Sequence, residues 1–345
     1  MMRALLLLAV ACGSPSRPTT LPPPPDPKPA APDLSKLATQ PISELGVSGE
    51  ILIYSLEEQP VVAIAPDGKT IATGENDRAV HVRNLPDFRE LRAIPSPAAG
   101  LIAGSVAFGA DGALAIGWVP VGDKATPSAA IYGPTGAVVT RFTGKWVYAG
   151  QLIWLQDRFV MRGGKPAVWH ADGRGPMHEL ELPFAKQLAV NAAGTHLVAR
   201  ERRPTYHAQW DEHSRSTNED PGKLYFARLD SPKITKTINF DPAHVAAAGD
   251  DFVAANHEWL RRYDREGNEL ASVALGGRPD ALVALGDRVI VGSRTGPLVI
   301  YQLSDLTPQR TVPLTGVVAL WPIAPDRLLV LDEANRLHVV QLGAN

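Results

Sequence analysis

The sequence predicts an all-β chain built from repeated four-stranded antiparallel sheets, and two observations carry that reading. The first is residues 61–84, VVAIAPDGKTIATGENDRAVHVRN, which break into three short apolar runs at 61–65, 70–73 and 79–84. A Pro-Asp-Gly turn at 66–68 and a tight turn at 75–78 separate them. In the third run Val80 and Val82 alternate with His81 and Arg83, the period of a strand with one buried face. A fourth run at 90–94 completes the sheet. Such a unit cannot bury both faces alone, so it should recur. The second observation is that it does. GENDRAVHVRNL at 74–85 lines up with GSRTGPLVIYQL at 292–303 and LDEANRLHVVQL at 331–342.

Residues 61–85 fit the pattern V-x-x-x-x-P-D-G-K-x-[IL]-A-[TS]-G-x-x-D-x-x-[IV]-x-V-x-x-L, and on that ground the chain resembles the WD40-type β-propeller family over roughly residues 50–345. Asp77 stands at that family's structural Asp. The departures are specific: there is no Gly-His dipeptide, and Arg83-Asn84 stands where Trp-Asp would be, so the hydrogen-bonded tetrad of WD repeats is not expected here. The resemblance implies an all-β, β-propeller fold. The runs divide into seven blades at about 61–95, 103–143, 147–183, 186–240, 244–275, 280–313 and from 317 onward, with eight as the alternative count. The seventh has three strands only. An apolar run at 51–54 has no sheet of its own, and pairing it as the outer strand of blade 7 would close the ring and leave no open edge there.

The N-terminus organises differently. Residues 1–12, MMRALLLLAVAC, combine one basic residue, Arg3, with an apolar run too short to span a bilayer and a small-residue stretch, Ala9-Val10-Ala11, just before Cys12. This resembles a bacterial lipoprotein signal in which the Cys after the cut is lipidated; the alternative is a plain secretory signal. By resemblance to enteric lipoproteins, Gly13 implies the outer membrane, facing the periplasm or cell surface. Cys12 is the one cysteine of the chain, so no intrachain disulfide can form. Residues 13–33 are Pro-rich and read as an extended tether. Residues 34–48 are an ambiguous lead-in with room for one helical turn. The expected division is a signal peptide at 1–11, lipidated Cys and tether at 12–48, and propeller at 49–345. Residues 13–45 are expected to offer little to bury.

Composition narrows the function. With 345 residues, a net charge of −2 and 6% aromatics, the chain has neither the basic excess to neutralise phosphates nor the stacking surface for bases, so no nucleic-acid partner is expected. It contains no G-x-S-x-G elbow, no H-E-x-x-H helix and no phosphate-cradling Gly loop, and the turn carboxylates Asp67, Asp111, Asp172, Asp250, Asp305 and Asp326 read as turn-formers. Two connections between strands b and c are long, 119–128 and 201–222, and the blade register puts both on one face. Long loops on a rigid scaffold are where binding residues concentrate. The second, ERRPTYHAQWDEHSRSTNEDPG, holds Arg202, Arg203, Tyr206, His207 and Trp210, a set with interface chemistry. Its rival reading is a polar insertion without function. His207, Asp211 and His213 are weak metal-ligand candidates, because their spacing matches no strong motif. His81, His170, His178, His196, His257 and His338 read as ordinary sheet or surface positions, whereas His244 could face the binding side. The expectation is a monomeric, non-enzymatic, lipid-anchored propeller without cofactor that docks an envelope protein. The alternatives are a periplasmic propeller enzyme, a quinone-cofactor protein, or a small-molecule or metal sensor using the central funnel.

Overall fold

The structure, a computed structural model, describes residues 30–56, 59–122, 125–142, 150–155, 157–162, 165–172, 174–183, 185–201 and 222–343. Seven antiparallel sheets of four strands each, a to d from the axis outward, form a β-propeller. The blades span 62–94, 101–142, 151–179, 185–239, 244–274, 281–312 and 317–342, the last completed by the N-terminal strand Ile42–Glu50. The Asp-initiated turns act as the sequence suggests: Asp67, Asp111, Asp172 and Asp305 each accept a hydrogen bond from the backbone N–H two residues on, which fixes the hairpin bend.

The core is a set of wedges between blades. Among the described residues, seven apolar clusters sit one at each blade–blade junction, from blades 1/2 around to 7/1. Most strands b are buried on both faces, which explains their near-continuous apolar runs; Leu114–Pro120 is one such strand. Large side chains fill the widening outer part of the wedges. Trp118 donates its indole N–H to the Tyr132 hydroxyl at 3.1 Å, and Phe142 meets Phe159 and Trp169 edge-on at 5.4 and 5.9 Å.

Near the axis, where the wedges are thin, two glutamines stitch neighbouring inner strands together. The Gln151 amide both donates to the Leu188 carbonyl and accepts from the Leu188 N–H, each at 2.9 Å. Gln187 does the same with Val245, at 3.1 and 3.2 Å. Each amide thus stands in for a strand residue between blades 3 and 4, and 4 and 5. A Gln187→Leu exchange keeps the bulk but orphans the Val245 N–H and C=O, so it is expected to cost about 1–3 kcal/mol, read as a lower urea midpoint at unchanged m-value.

The ring closes as expected in kind, but with a different strand. Residues 51–54 are not the outer strand of blade 7. Ile42–Glu50 is, running antiparallel to Arg336–Leu342 from the Ile42–Leu342 pair to the Glu50–Arg336 pair, with two register shifts. The physical reason is exposure. An outermost strand has one face in water, and ISELGVSGE carries the polar residues that face tolerates. The apolar run 51–54 instead plugs the 7/1 wedge. Ile51 and Ile53 are buried there while Leu52 is 51% exposed. The Ile51 N–H bonds the Asn335 carbonyl of blade 7, and the Tyr54 N–H bonds the Gly74 carbonyl of blade 1. Gly46 on the outer strand is forced by a close approach: a Cβ there would lie 2.2 Å from the Pro86 carbonyl oxygen.

The lead-in also belongs to the ring. Leu34–Lys36 is the expected helical turn, capped by the Asp33 side chain. Leu34 and Leu37 pack on the 5/6 wedge. Ala38–Thr39 adds to blade 6 in parallel, against Arg310 and Thr311. Gln40, 2% exposed, donates to the Gly343 carbonyl at 2.6 Å. Residues 33–45 therefore contribute to folding, against the expectation for 13–45, and the outer strand runs across the expected boundary at 48/49. The sequence hides this because short polar strands gain their stability from a partner sheet rather than from their own hydrophobicity.

Candidate functional site

Every strand a runs the same way along the axis, so all b–c connections leave the ring on the face where the inner strands begin. There the axial channel opens into a cavity of about 460 Å³ lined by all seven blades. The long b–c connections start and end on this face. In blade 2 the connection joins Leu114–Pro120 to Ser128–Tyr132, and Val121 on it is 53% exposed. In blade 4 it joins His196–Glu201 to Lys223–Arg228, and Gly222 at its foot is pressed against Asp241, with no room for a Cβ. Arg202, Arg203, Tyr206, His207, Trp210, Asp211 and His213 lie outside the described residues, as does Cys12.

The cavity wall is electrostatically one-sided. Blades 4 to 6 contribute Lys186 and Arg200, His244, and Arg278 and Arg294. Among the described residues Asp280 is the one carboxylate lining it, and it accepts from the Arg294 N–H at 2.9 Å while facing the Arg294 guanidinium at 3.7 Å. The Arg200 guanidinium donates to the Ala243 carbonyl. The opposite arc, from blades 7, 1 and 2, presents Trp321, Pro60, Val61 and Val106. His244 lines the channel mouth. Burial, followed by the Arg200 charge, pushes its pKa down to about 4. The unfolded chain takes up that proton near pH 6.5 and the folded chain only near 4, so the folded form binds fewer protons in between. The stability contributed by the neutral imidazole is full above pH 6.5 and drains away as pH falls towards 4. About 2 kcal/mol is expected to be lost over that window, allowing for the part of the ring that water reaches. Parallel melts of wild type and His244→Gln between pH 4 and 7 isolate it: wild type should lose about 2 kcal/mol more than the variant on going from pH 7 to pH 4.

Two other histidines do more than fill sheet positions. His81 and His338 occupy equivalent places on strand c of adjacent blades. The His81 Nε2 meets Asp77 at 2.8 Å and its Nδ1 meets Glu90 on strand d at 2.7 Å. The His338 Nε2 meets Asp332 at 2.9 Å and its Nδ1 meets Glu44 on the closing strand at 2.8 Å. Each ring ties the b–c turn to the outer strand. Burial alone would depress the His81 pKa, but hydrogen bonds to Glu90 and Asp77 and the Glu75 charge raise it above its ordinary value. A structural Asp77 was legible from the WD-like pattern; His81 as its partner was not, although the alignment of 74–85 with 331–342 places His81 on His338. The channel cations were also missed. Their signal is positional: each stands at the start of a strand a or the end of a strand b, on blades 4 to 6. Among the described residues no group of three or more His, Cys, Asp or Glu is arranged to hold a metal ion.

Together these features define a seven-bladed β-propeller whose channel mouth and long connections share one face. No known protein family matches the chain, and no curated protein does. Among solved structures, it is similar to a chain of the mitotic checkpoint complex, with a TM-score of 0.68 over 95% of this chain and 100% of that one, at 16% identity. That likeness is one of fold. Since 1541 solved chains match, the fold by itself selects no function.

Proposed function

We propose that the chain is a non-enzymatic propeller scaffold that docks a protein partner in a bacterial cell envelope, anchored to the membrane by a lipid on Cys12. One observation carries the docking reading: the two longest b–c connections leave a closed, rigid ring on the same face, around the channel mouth. Rigid scaffolds that gather their long connections at one end present them as a single binding surface. The similar chain in the mitotic checkpoint complex is itself part of a multi-protein assembly. The anchoring reading rests on the Arg3, 4–11, Cys12 sequence and the Pro-rich stretch behind it.

Photo-crosslinking tests the docking face. A crosslinker placed at Val121 should capture a defined partner, and one at Asp111, on the opposite face, should not. Equal capture at both positions would contradict a one-faced dock. Mass spectrometry of the mature N-terminus tests the anchor. A peptide beginning at acylated Cys12 is expected, and recovery of Met1 or of an unmodified Cys12 would refute it.

A further inference from the structure

We propose that the outer side of the ring at blades 5 and 6 is a docking groove for an extended partner segment, one with two leucine-sized side chains three residues apart ahead of a short strand. Residues 31–39 are its occupant in cis, a strap that such a segment displaces. The footprint has three parts. Ala31 lies against Gly276, on the connection between the two blades, 3.9 Å from where a Cβ would stand there. The single helical turn Leu34–Lys36 sets Leu34 and Leu37 on the 5/6 wedge, an apolar cluster that includes Leu275 and Leu306. Ala38–Thr39 then adds in parallel to strand d of blade 6, Pro308–Val312.

The edge of the blade explains why the strand part is short. In every outer strand the ladder to strand c skips one residue: Leu91, Val139, Met177, Thr235, Leu270, Gln309 and Leu45 in blades 1 to 7. Such bulges bend an edge away from further pairing. In blade 6 the skip falls on Gln309, and the added strand starts at the next residue, Arg310. Two rungs fix the direction and register of the segment, and the two leucines supply the recognition, the usual division of labour where a strand is added to an edge.

The strap itself is lightly held. No residue from 31 to 39 is buried: Leu34 and Leu37 are half-buried, and Ala38 and Thr39 are exposed. Its root is held firmly. Gln40 is buried, its side chain donates to the Gly343 carbonyl at 2.6 Å, and its N–H bonds the Thr311 carbonyl at 2.7 Å. Elements with few buried contacts open first, so the strap can swing out from Gln40 while the closing strand stays in place. The same root argues against a second copy as occupant. Its own Gln40 would be fixed beside its own Thr311, one residue from Thr39, too close to reach across to another ring. The occupant is therefore a free segment of another polypeptide. The groove lies apart from the channel mouth, so it stands or falls independently of the docking face.

The probe is a fluorescent peptide of residues 31–39, APDLSKLAT, titrated into the full chain and into its Leu34→Asp/Leu37→Asp variant, in which the strap no longer fills the groove. The variant is expected to bind one peptide saturably. Wild type should bind at least about tenfold more weakly, because its strap competes at the high effective concentration of a linked segment. A peptide with both leucines replaced by Asp should not bind. A photoreactive leucine analogue at either leucine position should crosslink to blade 5 or 6. In wild type at saturating peptide, hydrogen exchange should speed up at the amides of 34–39 and stay slow at 42–50, a readout that decides the matter even if the double variant fails to fold. Equal affinity of wild type and the folded variant, no saturable binding by the folded variant, crosslinks on other blades, or unchanged exchange at 34–39 would each overturn the proposal. A wild-type dimer that the peptide dissociates would overturn the free-segment assignment in favour of exchange between copies.

Discussion

A chain that begins at Ser55 is expected to lose cooperative folding or to aggregate. The truncation removes the outer strand of blade 7 together with the 51–54 plug, and their contributions are of different kinds. Ile51 and Ile53 are buried in the 7/1 wedge, and two such side chains are worth about 3–6 kcal/mol by area. The Ser48 hydroxyl accepts from the Leu337 N–H at 2.9 Å, and Glu44 bonds His338. Losing these partners leaves a buried donor and a ring nitrogen unpaired, at about 1–3 kcal/mol each. The sum reaches the lower half of a domain's usual margin of about 5–15 kcal/mol. The exposed edge of Arg336–Leu342 then offers a row of unpaired backbone groups to other chains. A graded series separates the parts. Deleting 13–32 should leave the melting temperature nearly unchanged, because a Pro-rich, polar stretch cannot offset its ordering entropy. Deleting 13–45 takes the blade 6 addition and the first half of the closing strand, and should fall in between. A chain starting at Ser55 that melts as a monomer at the wild-type temperature would refute the closure.

The contrast between what the residues announced and what they concealed follows from where stability comes from. Blade spacing was legible because hairpins carry their own chemistry: an Asp accepting from the N–H two residues on, and a strand with period-2 alternation or a fully apolar run. Six of the seven blades begin within two residues of the expected position, and the third, expected from 147, starts at 151. The closing strand was misplaced because its polar residues look like linker until a partner edge is known, and the apolar run beside it looked more like a strand than the strand did. Within that run Ile51 and Ile53 go inward and Leu52 outward. The candidate site was legible as a face and not as a set of residues. The two long connections marked that face directly. Lys186, Arg200, Arg278 and Arg294 are separated by up to about a hundred residues along the chain, and nothing local distinguishes them from solvated surface charges. Only the sevenfold register brings them to one arc.

Arg83→Met is expected to destabilise the protein by about 3 kcal/mol, because it strips a nearly buried carboxylate of its cation. Arg83 and Glu75 form an ion pair with side chains only 12% and 14% exposed, and Arg83 also donates to the Thr73 hydroxyl at 2.8 Å. Around them stand Asp77 and Glu90, both hydrogen-bonded to His81, whose Nε2 is 3.8 Å from Glu75. Without Arg83, three carboxylates share one imidazole. The deficit should therefore depend on pH in a stated direction. The folded-state pKa of His81 lies above its ordinary 6.5, so its stabilisation is fully present below pH 6.5 and is lost as pH rises through the folded value. In the variant, where the protonated imidazole is the remaining countercharge, the loss on going from pH 6 to pH 8 should be steeper than in wild type. Glu75→Met in the Arg83→Met background removes the stranded charge and should restore stability to within about 1 kcal/mol of wild type, since buried ion pairs exchange for apolar groups at little net cost. Urea midpoints of wild type, the Arg83→Met and Glu75→Met single variants and the double variant at pH 6 and pH 8 close the cycle. A double variant less stable than Arg83→Met alone would show that Glu75 serves the fold through contacts other than this pair.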